Sequence, residues 1–311
     1  MTAPETVGNA WDEPAWLAEA TDWIDRHVER AGPVELVLAR EWSAVVRVPT
    51  VDGTAWFKEV PPALAFEPPL TALLAARRPD RLPEPIAVEE RRLLTCHAGR
   101  RLRAHVDDGA AAPSWEELLA LQAELQLDFA PDAEEALRLG TLDAQPALLP
   151  ELCAELPRGE TRVETVRRAV EALGDAVPVS VVHTEAHDGN LFIHDGHVRV
   201  LDWAEAVVSH PFVGAVLPLR FAAERIGAAP GSAEVERLRD AYLEPFTRCA
   251  PLPELREQFG HGYLLGTLVR ALTWQALDAP PDLTVELGDP VVAWLELFDG
   301  VADGTVSLGD A

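Results

Sequence analysis

His183-Thr184-Glu185-Ala186-His187-Asp188-Gly189-Asn190 is the stretch on which the reading of this chain turns, and Asp202-Trp203 follows it after an apolar run. Val181-Val182 stands before it. Leu191-Phe192-Ile193 and Val198-Arg199-Val200 stand after it, joined at Asp195-Gly196, a dipeptide that favours a tight hairpin turn. The spacing predicts short strands on either side of a polar loop, with carboxylates, imidazoles and a carboxamide gathered at a strand end. Two chemistries fit such a cluster. Carboxylate and amide oxygens are ligands for magnesium, and a carboxylate beside an acceptor hydroxyl is what phosphoryl transfer asks of a protein. Alternatively, His183, Glu185 and His187 alternate and would point one way from a strand, with Asp188 and His194 nearby, as in a metal-dependent hydrolase. That second pattern matches no zinc spacing such as HExxH.

Upstream, Val45, Val46 and Val48 precede Asp52-Gly53, and Ala55-Trp56-Phe57-Lys58 supplies a return strand, which predicts an antiparallel hairpin. A lysine in a strand next to two aromatic residues needs a partner. Glu67 opens the next helix, expected to about Arg78, and because a proline follows it, Glu67 is expected at the helix cap. An amphipathic helix is expected over Trp11–Ala31, and extended segments over Ile86–Val88 and Leu93–Thr95. Beyond residue 110, Ser114 with Glu117 three residues on predicts a capping box for a helix over Trp115–Leu127. Further helices are expected over 133–139, 148–156, 163–173, 235–247, 254–277 and 291–298, and the closing GVADGTVSLGDA is expected to fray.

In their order along the chain these motifs resemble the aminoglycoside phosphotransferase family, the small-molecule branch of the protein-kinase-like fold. The catalytic loop of that family reads His-x-Asp, then Asn five residues on, then a hairpin and a metal-binding Asp; here Glu185 to Asn190 is five residues and Asn190 to Asp202 twelve. The resemblance spans roughly residues 34 to 275 and implies an α+β bilobal fold. A small antiparallel-sheet lobe over 1–97 would end in a hinge, and a mostly helical lobe over 98–311 would carry the catalytic loop and the acceptor site. It implies a magnesium-bound ATP or GTP between the lobes, with Lys58 on the inner phosphates and Glu67 pairing with that lysine. Asn190 and Asp202 would hold Mg2+, Glu185 would accept the proton of an acceptor hydroxyl, and His183 would brace the loop. Ser43 lies where the family's glycine-rich loop would be, in a stretch without glycine (Arg40-Glu41-Trp42-Ser43-Ala44), and Thr95 lies at the expected hinge (Leu94-Thr95-Cys96-His97). The implied acceptor is a hydroxyl of a small molecule, such as an aminoglycoside, macrolide, sugar or amino alcohol, or of a peptide Ser or Thr.

One departure bears on activity. Glu185 stands where the family has Asp, and the added methylene moves the carboxylate by about 1 Å, a displacement that can cost on the order of 100-fold in rate. His187 and Asp188 are the other bases in the loop. A kinase-like protein that binds nucleotide or a partner without turnover is therefore a second reading.

The composition narrows the partners. Lys plus Arg number 26 against 52 Asp plus Glu, a net charge of −26 that repels the phosphate backbone of nucleic acids. The three cysteines are scattered and form no CxxC pair, so no disulfide framework is expected. The N-terminal MTAPETVGNAWDEPAW has no basic-then-apolar pattern, and no apolar run reaches the ~18 residues of a membrane span; the expectation is a cytoplasmic protein with no membrane partner.

Overall fold

A computed structural model of the chain describes Trp11, residues 14–277 and residues 289–309. The reading of the N-terminal decapeptide lies outside these residues. Contacts divide the chain into two units, one of residues 1–99 with 194–199 and one of residues 100–193 with 200–311.

Two-residue turns build the first unit. Glu41-Trp42 joins β1 (Glu35–Arg40) to β2 (Ser43–Thr50), and Val51-Asp52 joins β2 to β3 (Gly53–Glu59), with Arg40 opposite Ser43 and Thr50 opposite Gly53. Gly53 has φ +133°, a conformation open to glycine and costly for other residues, which lets the chain re-enter the sheet at once. β4 (Pro85–Glu89) and β5 (Arg92–Cys96) complete an antiparallel sheet in the order β1-β2-β3-β5-β4. Inward residues of the alternating strands, Val46, Val48, Phe57 and Leu94, pack with Ala20, Trp23 and Ile24 of α1 (Pro14–Ile24). That helix is shorter than the sequence suggests. After Ile24 the chain turns, and Ala31 N–H donates to Pro49 O at 2.9 Å while Arg30 pairs with Thr50, so the chain at Arg30 and Ala31 joins the sheet edge. α2 (Glu67–Arg77) begins at Glu67 itself, its first helical residue, with two prolines in the first turn.

The second unit is mostly helical. β6 (Arg100–Arg101) runs into α3 (Leu102–Asp107). The expected capping box is formed: Glu117 N–H donates to Ser114 Oγ at 3.2 Å and Ser114 N–H donates to Glu117 Oε2 at 2.7 Å, starting α4 (Trp115–Phe129). α5 (Ala133–Leu139), β7 (Leu142–Asp143), α6 (Leu149–Glu155) and α7 (Val163–Leu173) follow. β8 (Ser180–Val182) leads into the polar loop and β9 (Leu191–His194); the turn at Asp195-Gly196 and most of β10 (His197–Val200) are grouped with the first unit. Both turn residues have positive φ, +50° and +79°, the geometry this dipeptide favours. β11 (Val207–Ser209) pairs with β7 and β8. The C-terminal helices are α8 (Val216–Ile226), α9 (Ala233–Leu243), α10 (Leu252–Ala276) and α11 (Pro290–Asp303). Their core runs from Leu119 and Val182 through Phe212, Tyr242 and Phe259 to Phe298.

The C-terminal segment departs from expectation. α11 continues to Asp303, Val306 N–H donates to Gly300 O at 2.9 Å, Gly231 N–H donates to Leu308 O at 3.1 Å, and Leu308 packs on the core. Its three glycines do not prevent packing, because Val306 and Leu308 give the tail apolar surface to cover in part. No helix among the described residues is long and apolar enough to cross a membrane.

Candidate active site

In the second unit the loop after β8 is wired to the residue that precedes Asp202. His183 is 4 % exposed, and both of its ring nitrogens are occupied: Nε2–H donates to Leu201 O at 3.0 Å, while Nδ1 accepts from Glu185 N–H at 3.0 Å. Burial pushes its pKa down and keeps it neutral, outweighing the hydrogen bond to Leu201 and the pull of Asp202 and Glu185. Leu201 N–H then donates to Asn190 O at 3.0 Å, so one residue is pinned from both ends of the loop. Asn190 Nδ2 donates to Glu185 O at 3.1 Å, which commits the amide nitrogen inward and leaves Oδ1 as its outward-acting atom. Asp202 follows with φ +68° and ψ +69°, a left-handed conformation uncommon outside glycine, and it is exposed. Strain of this kind persists only where surrounding structure imposes it; here the Leu201 hydrogen bonds do so.

Glu185, expected as the base, is not loose. Arg270 of α10 donates from Nη2 to Glu185 Oε1 at 2.8 Å, and from Nη1 to Thr184 Oγ1 at 3.0 Å and to Glu205 Oε2. Arg270 is 2 % exposed, a guanidinium buried among two carboxylates and a hydroxyl. Burial is the main force raising the Glu205 pKa, and Glu185 and Asp202 add to it against the pull of Arg270, so Glu205 tends to hold its proton. Arg270 and Glu205 were missed in the sequence. The available signal was a single charge inside the apolar run Leu264–Leu272, since a lone arginine in a buried helix requires a partner.

Of the other bases in the loop, Asp188 is committed to two arginines and His187 has one ring nitrogen engaged. Asp188 is fully buried between Arg103, which donates from Nε at 2.8 Å, and Arg225 of α8, which donates from Nη2 at 2.6 Å. Burial alone would raise its pKa, but the two guanidinium groups outweigh it and hold the carboxyl below its ordinary value. His187 Nδ1 accepts from Gly189 N–H at 2.9 Å, and its ring lies 4.7 Å from that of Phe221. A Cβ at Gly189 would come within 2.6 Å of His187, so this close approach needs glycine. With both His183 nitrogens engaged, the hydrolase pattern loses its first ligand, and no group of three or more His, Cys, Asp or Glu among the described residues is arranged to hold a metal.

In the first unit, Lys58 Nζ donates to Glu67 Oε1 at 2.6 Å; Glu67 is 2 % exposed at the first turn of α2. The pairing follows from strand alternation. Phe57 points into the core, so Lys58 faces the opposite side of β3, where α2 presents its N-terminus. Ser43, 4 % exposed, is the first residue of β2, and the stretch around it is a tight hairpin. Thr95 is 6 % exposed inside β5, opposite Trp56 on one side and Pro85 on the other.

A family profile described as the phosphotransferase enzyme family matches residues 34–272, which takes in the Lys58–Glu67 pair, the polar loop, Asp202 and Arg270. The chain belongs to that family. No curated protein sequence matches this phosphotransferase-family chain. Among solved structures, an amicoumacin kinase in complex with AMP-PNP, Ca2+ and Ami is 12 % identical at a TM-score of 0.59, with 95 % of each chain covered. The ethanolamine kinase of Plasmodium vivax is 9 % identical at 0.60, with 97 % of this chain and 94 % of that one covered. A GDP and kanamycin complex of an APH(2")-type enzyme is 13 % identical at 0.56, covering 92 % and 99 %. At these identities the likeness establishes the protein-kinase-like fold; the site stands on its own geometry.

Proposed function

We propose that this chain transfers the γ-phosphoryl group of ATP or GTP to an alcohol group of a small molecule. The observation that carries the reading is the pinning of Leu201 between His183 and Asn190, which holds Asp202 in its left-handed conformation beside Asn190. Unlike Asp195, whose positive φ belongs to a two-residue hairpin turn, Asp202 is held in that conformation just past the hairpin that follows the polar loop, where a carboxylate can meet a metal ion.

The donor set fits magnesium: an exposed carboxylate at Asp202 and an amide oxygen at Asn190 whose nitrogen is already committed elsewhere. Bound there, the ion would offset the negative charge of the phosphates. Lys58, oriented by Glu67, binds the inner phosphates as a fixed positive charge. Glu185 accepts the acceptor hydroxyl's proton as the new oxygen–phosphorus bond forms and the bond to the leaving nucleoside diphosphate breaks. Arg270 holds the longer glutamate side chain in one place, which offsets the freedom added by its extra methylene. Relatives named for amicoumacin, ethanolamine and kanamycin support a small hydroxylated acceptor.

The Arg270–Glu185 contact also supports a second reading, nucleotide binding without turnover, because it commits one carboxylate oxygen of Glu185 to a guanidinium instead of an acceptor hydroxyl. Titration of the purified protein with ATP and GTP, with and without magnesium, tests both. Magnesium-dependent binding with slow hydrolysis is expected of the transferase; binding with no hydrolysis and no transfer to any acceptor favours the second reading; no binding of either nucleotide contradicts both.

A further inference from the structure

α8, α10 and α11 bring two guanidinium groups to one indole. The guanidinium carbon of Arg270 lies 5.3 Å from the Trp294 ring centroid, and that of Arg220 lies 5.8 Å from it. Their charges are balanced differently. Arg270 is buried and donates to Glu185, Glu205 and Thr184. Arg220 is half-buried, and among the described residues it makes no hydrogen bond and no ion pair. Arg225, further along the same helix, is taken up by Asp107 and Asp188.

In a chain with 52 acidic residues against 26 basic ones, an arginine that shares the indole of Arg270 and has no acid opposite it among the described residues is a local reversal of the overall field. Arg270 is matched by the carboxylates of Glu185 and Glu205, whereas Arg220, over the same indole, has no such partner among the described residues. The indole face supports the guanidinium from one side by a modest cation–π attraction, and no group among the described residues takes up its hydrogen-bonding fork. That fork matches the paired oxygens of a carboxylate or a phosphate.

We propose that Arg220, seated on Trp294, anchors an anionic oxygen group of the acceptor, so that the molecule phosphorylated is a hydroxylated acid carrying a carboxylate or a phosphate. The inference rests on the phosphotransferase reading for calling this ligand the acceptor. It runs against the attraction for amines that the net charge alone would suggest, because the nearest uncompensated group decides a contact at short range.

The test is calorimetric titration of the full chain, without nucleotide, with four probes sharing one six-carbon polyol chain: D-gluconate, D-glucitol 6-phosphate, D-glucitol and D-glucamine. The expected result is that one or both acids bind at least about tenfold more tightly than glucitol, with glucamine weakest. Preference for gluconate assigns a carboxylate, and preference for glucitol 6-phosphate assigns a phosphate. Arg220→Gln, shown by circular dichroism to be folded, loses the preference, Arg220→Lys keeps part of it, and Arg220→Glu brings glucamine above both acids. Equal binding of the four probes by the wild-type protein, or an unchanged preference in Arg220→Gln, overturns the proposal. Because no nucleotide is present, that failure leaves the phosphotransferase reading intact, and failure of nucleotide binding elsewhere leaves this titration interpretable.

Discussion

Arg270 Nη2 meets Glu185 Oε1 at 2.8 Å, a contact between residues 85 apart in sequence that ties α10 to the loop after β8. The guanidinium is 2 % exposed and also carries Glu205, so it works as the hub of the loop as well as a restraint on one side chain. Removing one member of a buried ionic cluster leaves the others uncompensated, which is where the large energetic effects arise.

Arg270→Met is therefore expected to lower the stability of the protein by about 3 kcal/mol, read as a shift in the urea unfolding midpoint. Arg270→Lys is expected to recover only part of this, because a single ammonium does not reproduce the planar fork that reaches Glu185, Thr184 and Glu205. Glu205→Gln in the Arg270→Met background is expected to change stability little, because without Arg270 the buried Glu205 is already held neutral. A midpoint unchanged in Arg270→Met would mean that the cluster is solvated and that Glu185 is not held.

Lys58 and Glu67 give a second expectation. Lys58→Ala leaves Glu67 buried at 2 % exposure and removes the positive charge proposed for the phosphates. Nucleotide affinity is expected to fall by at least about tenfold, in line with the loss of a charge-assisted hydrogen bond. Glu67→Gln keeps the shape of the pair while removing its charge, and is expected to weaken affinity less. Equilibrium titration with ATP compares the two.

His210 makes the protein sensitive to acid. It is 1 % exposed, its Nδ1 accepts from Phe212 N–H at 3.2 Å, and burial alone pushes its pKa down from 6.5 to about 3. Between those values the unfolded chain binds a proton that the folded one refuses, so stability falls as pH falls through this window. The slope attributable to His210 is about 1.4 kcal/mol per pH unit. His210→Asn, which keeps an acceptor for Phe212, is expected to flatten the dependence between pH 6 and pH 4, measured by urea denaturation at a series of pH values. An identical slope in the variant would assign acid sensitivity to other groups, such as the buried His183.

Much of this architecture was legible along the chain because it is local. Asp195-Gly196 set one hairpin, Ser114 with Glu117 set a helix start, and the bounds of α5 and α7 follow from periodicity alone. His183, Glu185 and Asn190 were found together because one short loop carries them. The residues that were missed act across long separations: Arg270 and Glu205 on Glu185, and Arg103 and Arg225 on Asp188. α8 escaped notice because Pro218 breaks its pattern, although a proline in a first turn is tolerated. The end of α1 was misplaced because residues 25–31 keep a helical rhythm, while the backbone closes the helix with turn hydrogen bonds over residues 25–28 and then pairs with the sheet edge at Arg30 and Ala31.

The most direct test of the central claim is transfer of labelled γ-phosphate from ATP or GTP in magnesium, with the acid probes as acceptors, by the wild-type protein, Asp202→Ala and Glu185→Asp. The account predicts measurable transfer or slow hydrolysis by the wild type, and loss to background in Asp202→Ala. In Glu185→Asp it predicts a decrease, because the shorter carboxylate draws away from Arg270. Full activity in Asp202→Ala would contradict the assignment of the site, and activity appearing only in Glu185→Asp would mean that the natural protein binds nucleotide without turning it over.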